Sequence, residues 1–493
     1  MHITTTYEQM YKSNFPPLLD TIKADLDRWA PLPLSWLGRV ALIKMNILPR
    51  LLYPLQMIPI LLSNKVIKVL EGWLSAFIWS KRKPRLKIAK LQMAGSDGGL
   101  DVPNIRLYQL AAHLRVIADW FKQNPASIWL DIESSQSKLP LFNLLFVNNP
   151  DGIKKFCTSP IILSTVKAWR SIRTLEGRVH LTSPLTPILN GPDFLPGRQG
   201  FKTWYACGLT KLGDLFANKT MLSFQQLQQQ YGLQKSEFFR FLQIRHFVIN
   251  DTTLTTNSAA SSVESALSSQ ISKKHISIFY KALTSNLPLT SRATKEAWER
   301  DLRVTMDESA WREVWAHAAN ISVCNRAKSI QFRIVHRVHC TPVLKNKLDS
   351  NVSPLCWKCN TDTGDYIHCF WSYAKLQRYW IDIVNELSII FGKPIPLDPM
   401  CLILGLPDVH ITNSKHKRLF KLLTFAARKN IMLFWGKNTI PTKKSWHNLI
   451  MDSIPSEYIT CMLHSTVDSF HKVWGPYLKY IGPILSSPIT RIS

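Results

Sequence analysis

Two cysteines and a histidine near residue 360 have the types and spacing of metal ligands. Cys356 and Cys359 form a C-x₂-C pair, and His368 follows after eight residues. The short turn between such cysteines brings both sulfurs to one edge of a tetrahedral zinc ion, and a structural zinc site requires four ligands in all. Cys369 directly follows His368 and is a poor fourth ligand, because neighbouring side chains point apart in most backbone conformations.

Two interpretations of these three residues stay open. In one, they bind zinc with a fourth ligand borrowed from an upstream segment, and the turn presents a basic, aromatic surface to RNA. In the other, the site has lost its metal, and its thiols are reduced and partly buried. The candidates for the borrowed ligand are His336, His339 and Cys340.

A run of basic residues at 81–90 contains no acidic residue. It comprises Lys81, Arg82, Lys83, Arg85, Lys87 and Lys90. On the residues alone, such a run is either a surface that binds a polyanion or a solvated loop. Four single residues are further candidates, although for the first two a local cap or ion pair explains the charge equally well. They are Arg39, Lys44, Arg333 and Arg337.

The overall charge agrees with a polyanionic partner. The 493 residues include 61 Lys and Arg against 33 Asp and Glu, which gives a formal charge of +28. Such a balance favours nucleic acid ahead of an anionic membrane surface, although an inert basic surface is the alternative. Nine cysteines without a recognisable signal peptide predict reduced thiols inside the cell, in the cytoplasm or the nucleus. The longest apolar stretch, 47–62, is broken by Arg50, Gln56 and three prolines, so no membrane span is expected.

Apolar residues recur at helical spacing through most of the chain. Residues 16–29 predict an amphipathic helix that begins at Pro16 and Pro17. Ser35 and Ser63 are the predicted N-caps of the next two helices. Periodicity is lost at 126–200, which contains several prolines and glycines and predicts an irregular connector. The Ser/Thr-rich stretch 251–270 is the predicted linker.

Several motifs occur in a fixed order between residues 34 and 108. They are SW-x-GR from Ser35, K-M-x-ILP-x-LLY from Lys44, FIWSKRKPR from Phe77 and GGL-x-x-PN-x-x-x-Y from Gly98. This order resembles the segment that follows the polymerase palm in the second-frame protein of LINE-type, non-LTR retrotransposons. The resemblance continues into the C-terminal region and is weakest from 126 to 200.

The resemblance implies a mainly α-helical protein with a thumb-like unit that grips nucleic acid. It therefore implies phosphate contacts from the basic run 81–90, Arg39 and Lys44. The implied divisions are a thumb-like helical unit at 1–125, an irregular connector at 126–200, a helical segment at 201–250, a linker at 251–270 and a C-terminal helical region at 271–493 with a Cys/His knuckle-like segment at 356–373. The family carries H-x₄-C after its C-x₂-C pair. Its fourth ligand therefore corresponds to Tyr373 in this chain, so three of the family's four zinc ligands are present.

Templated DNA synthesis requires metal ions held by clustered carboxylates. This sequence contains no Asp-Asp pair, and Asp119 lies in a helical pattern with no strand on either side. We therefore expect a non-catalytic protein that binds RNA or DNA, derived from a LINE-type reverse transcriptase, with no small-molecule substrate. Two alternatives stay open. In the first, the chain is part of an RNA-directed DNA polymerase whose catalytic domain is encoded upstream. In the second, it is a structural or protein-interaction protein, or a non-functional retroelement remnant.

Overall fold

Helices form nearly all the regular structure in a computed structural model of the chain. The described residues are 2–122, 127–149, 151–178, 181–189, 200–217, 220–250, 260–269, 273–287, 292–407 and 410–486, with side chains through residue 482 in the last helix. The one sheet in this part of the chain pairs Phe216–Ala217 with Thr220–Met221 in antiparallel fashion. The prediction of a mainly α-helical protein is confirmed.

The chain forms two compact units. The first contains Met1–Pro31, Ile43–Phe77 and Pro103–Pro288, and the second contains Leu32–Leu42, Ile78–Val102 and Leu289–Ser493. The stretch 1–125, predicted as one thumb-like unit, is thus divided between the two. Contacts between residues far apart in sequence cause this division: Arg85, for example, donates a hydrogen bond to the carbonyl of Val338 at 2.7 Å within the second unit.

The helices of the first unit pack around several groups of buried apolar residues. Its helices are Tyr7–Trp29, Leu48–Met57, Asn64–Ile78, Ile105–Lys122, Ile128–Ser135, Pro160–Leu175, Lys202–Ala206, Phe224–Tyr231, Phe238–Asn250, Ser262–Ser268 and His275–Thr284, with a π-helical turn at Ile43–Ile47 and short 3₁₀ turns. One cluster includes Leu114 and Trp169, a smaller one surrounds Trp204, and the buried residues Phe15, Ile22 and Leu26 of the first helix belong to neither. Asp119 lies within a helix, as predicted.

The first helix begins earlier than the sequence suggests. Thr6 is its N-cap, and the Thr6 hydroxyl accepts a hydrogen bond from the backbone N–H of Gln9 at 3.3 Å. Pro16 and Pro17 lie inside the helix, so the prediction that the helix starts there is wrong. Each proline removes one backbone hydrogen bond of the helix, and Phe15, Ile22 and Leu26 on the same helix are buried. The predicted N-cap at Ser35 is confirmed, because its hydroxyl accepts a hydrogen bond from the backbone N–H of Gly38 at 3.1 Å.

The predicted connector and linker both contribute to the core of the first unit. Within 126–200, the helix Pro160–Leu175 and the fully buried 3₁₀ segment Leu141–Phe146 are ordered elements, so an irregular connector is the wrong description of the described part. Within 251–270, residues 251–259 and 270 lie outside the described residues. The remainder includes the helix Ser262–Ser268, which buries Val263, Glu264 and Leu267. The short, fully buried segment Leu141–Phe146 lacks the amphipathic stripe by which a helix is recognised in a sequence.

The second unit contains the candidate sites. Its helices are Trp36–Leu42, Ile88–Leu91, Arg292–Leu302, Glu308–Asn320, Asn325–Val335, Pro342–Leu348, Ala374–Phe391, Ser414–Leu433, Lys443–Leu463 and Val467–Ser486, with π-helical turns at His368–Ser372 and Met400–Leu404. One apolar cluster runs through the C-terminal helices and includes Trp298, Trp311, Trp380 and Trp446, all of them fully buried.

A glycine turn follows the basic run in the second unit. Gly98 has a φ of +85°, and a Cβ atom there would lie 2.9 Å from the indole of Trp315. Both the left-handed backbone and the close approach require glycine at this turn. In the described part of the chain, every helix is either too short or too polar to cross a bilayer.

Candidate metal centre and basic cleft

The C-x₂-C pair and the following histidine meet in space. One ligand atom from each of Cys356, Cys359 and His368 lies within 4.8 Å of the other two, and this is the one such His/Cys/Asp/Glu group in the described part of the chain. The Cys359 Sγ is 3.5 Å from the His368 Nε2. Zinc–sulfur bonds of about 2.3 Å place the ligands of a tetrahedral ion roughly 4 Å apart. The three residues can therefore hold a metal ion.

Local hydrogen bonds give the cysteine loop its shape. The Cys356 Sγ accepts a hydrogen bond from the backbone N–H of Lys358 at 3.4 Å, and the Cys356 N–H donates to the carbonyl of Asp362 at 2.8 Å. Asp365 accepts from the backbone N–H of His368 at 2.7 Å, which fixes the start of the π-helical turn. A Cβ atom at Gly364 would lie 3.0 Å from the Cys356 Cα, so glycine lets the two chain segments pack closely.

The electrostatics of the loop favour a thiolate at Cys359. Burial raises the pKa of this thiol, but several hydrogen bonds to the sulfur outweigh it and lower the pKa to about 6; they come from the Thr361 side chain, the backbone of Asp362 and Thr361, and the His368 side chain. A thiolate is the form that binds zinc. The site therefore has a ligand in the metal-binding form near neutral pH.

None of the three proposed upstream ligands joins the group. The His336 Nε2 lies 2.6 Å from the carbonyl oxygen of Gly98, and the His339 Nδ1 lies 3.4 Å from the Tyr366 hydroxyl. The carbonyl of Cys340 accepts a hydrogen bond from the Trp435 indole. Tyr373 is buried, with its ring centroid 5.9 Å from that of His368, so its phenol occupies the neighbourhood that the resemblance assigns to the fourth ligand.

The residues between the two cysteines face the protein. The Trp357 indole donates a hydrogen bond to the carbonyl of Trp435 at 3.0 Å. The Lys358 ammonium donates to the carbonyls of Phe434 and Thr439 at 3.1 and 3.2 Å, just beyond the helix Ser414–Leu433. Trp357 and Lys358 are half-buried, and these hydrogen bonds use their donors within the protein.

Two groups of predicted phosphate contacts come together in a cleft of about 690 Å³ in the second unit. We call this the basic cleft. It is lined by Trp36, Trp79, Ser80, Arg82, Lys83, Pro84, Arg85, Arg333, His336, Arg337, Val338, His339, Cys340, Leu344 and Leu348. Among these described lining residues, five are Lys or Arg and none is acidic. The sequence identified the cations but gave no sign that Trp36 and Trp79 would line the same cleft.

Backbone carbonyls and an aromatic ring hold two of the arginines. Arg85 donates to the Val338 carbonyl at 2.7 Å. The Arg333 Nε donates to the Ser329 carbonyl at 3.3 Å, and its guanidinium carbon lies 5.6 Å from the centre of the Trp36 ring. The structure gives the two terminal nitrogens of Arg333 no hydrogen-bond partner among the described residues. Both guanidinium groups therefore keep donors for an anion.

Other predicted contacts have structural roles instead. Arg39 is only 3% exposed, and it donates to the carbonyl of Leu32 at 3.1 Å, so it is too deeply buried to reach a phosphate backbone. Arg337 forms an ion pair with Asp301 and donates to the carbonyl of Ala297 at 3.0 Å. Its guanidinium also lies against the rings of Trp298 and Tyr366, at 5.1 and 5.0 Å. Arg337 lines the basic cleft, but its hydrogen-bond donors bind other groups of the protein.

The remaining predicted cations differ in their surroundings. Lys81 and Lys87 are exposed, whereas Lys90 is half-buried and its ammonium donates to the Thr294 hydroxyl at 2.6 Å. Burial lowers the pKa of Lys90. Lys44 is half-buried and belongs to the first unit, so it lies outside the unit that forms the basic cleft.

The two histidines of the basic cleft are uncharged at neutral pH. Burial lowers the pKa of both His336 and His339 to about 3, and neighbouring cations contribute: Lys90 for His336, and Arg333 and Arg85 for His339. His336 stacks on Trp315 with ring centroids 5.0 Å apart. The positive charge of the cleft therefore comes from lysine and arginine.

One arginine of the helix Ser414–Leu433 is fully buried. Arg428 is 0% exposed. Its Nε donates to the Gln331 side-chain oxygen at 3.1 Å, its Nη1 donates to the Leu402 carbonyl at 2.7 Å, and its Nη2 is 3.1 Å from the His317 Nε2. The three partners come from different helical segments, which local sequence cannot reveal. Arg428 ties those segments together.

A scan against models of known protein families finds no match for this chain. The resemblance to LINE-type reverse transcriptases therefore rests on the motifs of the sequence itself.

Proposed function

We propose that this protein binds nucleic acid through the basic cleft, as a non-catalytic relative of LINE-type reverse transcriptases. The observation that supports the proposal is the meeting of Arg82, Lys83 and Arg85 with Arg333 in one recess. These cations are far apart in sequence, and the described residues lining the recess include no acidic side chain to neutralise them. An uncompensated cluster of this kind attracts a polyanion and contacts its phosphates. Such a partner places the protein in the cytoplasm or the nucleus.

The proposal is tested by removing charge from the basic run. The test variant replaces Lys81, Arg82, Lys83 and Arg85 with Ala. Each phosphate contact contributes about 0.7–0.9 to the slope of log K against log salt concentration. The variant should bind a 30-nucleotide RNA more weakly than wild type at low salt, with a slope flatter by roughly two to four. Fluorescence anisotropy across a salt series measures both quantities.

A control with the same change in net charge separates local contacts from overall attraction. It replaces Lys65, Lys68, Lys154 and Lys155, which are exposed in the first unit, with Ala. The control should keep most of the wild-type salt slope. Equal losses in both variants would mean that net charge alone drives binding, and an unchanged affinity in the test variant would disprove the role of the basic cleft.

The catalytic alternative has a separate test. Primer extension with the purified chain, a primed RNA template and Mg²⁺ should yield no product. Any template-dependent synthesis would overturn the non-catalytic assignment.

We further propose that Cys356, Cys359 and His368 bind zinc, with water in the fourth position, and that the bound ion stabilises the fold. Two thiolates and an imidazole suit zinc among the common biological metals, and a structural zinc ion adds directly to folding free energy. Metal analysis of the purified protein should find about one zinc per chain, and Cys356→Ser should lose it. Cys324→Ser, at an exposed cysteine outside the group, is the matched control. Absence of stoichiometric zinc from the wild-type protein would refute this assignment.

A further inference from the structure

We infer that the basic cleft selects single-stranded nucleic acid over duplex, an inference that rests on the nucleic-acid binding proposed above. The first reason is size. The cleft encloses about 690 Å³. Pockets of roughly 300–1,000 Å³ enclose drug-sized ligands, and one or two nucleotides are ligands of that size. A duplex is a stiff rod with its phosphates on the outside, so it cannot enter a recess of this size.

The second reason is the depth at which the cations lie. Arg82 and Lys83 are exposed, whereas Arg333 is half-buried. A duplex laid across the opening can reach the exposed pair but not the deeper guanidinium. A single strand can enter with its backbone and place a phosphate near Arg333. The cations at two depths therefore match a thin, flexible polyanion better than a wide, rigid one.

The third reason is the chemistry of the remaining walls. Trp36, Trp79, Leu344 and Leu348 line the cleft beside the cations. A duplex keeps its bases stacked inside and offers mainly phosphate and sugar to a flat surface. A single strand exposes unpaired bases whose flat faces pack against apolar and aromatic groups. Apolar walls next to cations thus fit a ligand in which anions and planar apolar faces alternate.

Arg333 is positioned before any ligand arrives. Its Nε is tied to the Ser329 carbonyl at 3.3 Å, and its guanidinium lies 5.6 Å from the centre of the Trp36 ring. A side chain that is already ordered loses less conformational entropy on binding. Planar guanidinium groups also form two parallel hydrogen bonds to a phosphate, which an ammonium cannot do. Arg333 is therefore the residue on which the preference for a single strand depends most.

The test compares single strands with duplexes in the full-length protein. Anisotropy titrations use labelled oligonucleotides of 12 and 24 residues, as oligo(U), oligo(dT) and matched RNA and DNA duplexes. The single strands should bind at least about tenfold more tightly than duplexes of equal length; a charged hydrogen bond and one packed base contribute enough free energy for that ratio. The two single-stranded arms show whether ribose or deoxyribose is preferred.

Three variants test which parts of the cleft produce the preference. Arg333→Ala should weaken single-strand binding roughly tenfold and duplex binding much less. Arg82→Ala combined with Lys83→Ala should weaken both ligands to a similar degree, because both ligands reach the exposed pair. Leu348→Gln changes a side chain that is 65% exposed, so it should fold normally; it should weaken single-strand binding without altering the salt slope. Arg312→Ala, at an exposed residue outside the cleft, is the charge-matched control for Arg333→Ala.

The outcomes separate this inference from the function on which it rests. Equal affinity for single strands and duplexes, with Arg333→Ala weakening both alike, would overturn the single-strand preference and leave nucleic-acid binding intact. Failure of the wild-type protein to bind either ligand would overturn both. A single-strand preference that survives both Arg333→Ala and Leu348→Gln would place the selectivity outside the basic cleft and overturn the inference.

Discussion

The helix Ser262–Ser268 offers a direct test of the fold, because the sequence predicts a solvated linker there. Glu264 is 0% exposed, and its carboxylate accepts hydrogen bonds from Arg173 at 2.7 Å and from the backbone N–H of Ser261 at 2.8 Å. It also lies 3.3 Å from Arg178. Glu264→Gln keeps the shape of the side chain but removes its charge. The nearly buried Arg173 then loses its closest counter-ion.

The expected loss of stability follows from these contacts. Removing one partner from a buried ion pair costs about 3–5 kcal/mol. Arg173 keeps a second carboxylate, Glu176, at 3.3 Å, which lowers the expected cost. We therefore expect Glu264→Gln to lower the free energy of unfolding of the first unit by roughly 2–4 kcal/mol. A residue in a solvated linker would change it by less than about 0.5 kcal/mol.

Urea denaturation measures the change in the free energy of unfolding, and hydrogen–deuterium exchange in a separate experiment shows which segments are destabilised. Faster exchange should appear in the helix Ser262–Ser268 and in its neighbour His275–Thr284. Glu296→Gln is the matched control, because Glu296 pairs with Arg292 at 3.0 Å on an exposed surface. Exposed pairs contribute about 0–1 kcal/mol. Equal effects of the two substitutions would refute the buried ion pair and restore the linker description.

Two further predictions concern pH and backbone packing. Burial lowers the pKa of His113 to about 4, so its neutral form contributes stability that is fully present above pH 6.5 and is lost as the pH falls toward 4. Between pH 4 and 6.5, His113→Gln should reduce the slope of unfolding free energy against pH by an amount equivalent to at most about one bound proton. An unchanged slope would contradict the lowered pKa of His113. At Gly364, a Cβ atom would lie 2.5 Å from the Pro342 Cγ. Gly364→Ala should therefore destabilise the cysteine loop by about 1–3 kcal/mol and weaken zinc retention against a chelator; Gly436→Ala, where a Cβ atom meets nothing within 4 Å, should leave retention unchanged.

Local signals were sufficient for some elements and insufficient for others. Ser35 and Ser63 act as caps because a hydroxyl one residue before a helix satisfies a backbone N–H regardless of tertiary structure. The spacing of Cys356, Cys359 and His368 likewise predicted that these residues lie together, because a short loop connects them.

Elements held by distant partners could not be predicted in this way. Arg428 looks like a surface charge until the segments that carry its three acceptors are in place. The basic cleft depends on contacts such as Arg85 to Val338, which join residues 253 positions apart. The helix Ser262–Ser268 did carry a local signal: Ser261 and Glu264 form a capping box, a pattern readable from sequence that the Ser/Thr-rich composition obscured.

The bonds that Trp357 and Lys358 make couple the cysteine loop to the C-terminal helices. The ammonium of Lys358 binds carbonyls beyond the end of Ser414–Leu433, and Trp357 binds the neighbouring Trp435 carbonyl. Such coupling is reciprocal. If a bound ion orders the loop and so lowers the equilibrium constant for fraying of that helix end, then fraying lowers the affinity for the ion by the same factor. Removal of the ion by a chelator and heating should therefore both disorder the cysteine loop together with the end of the helix Ser414–Leu433.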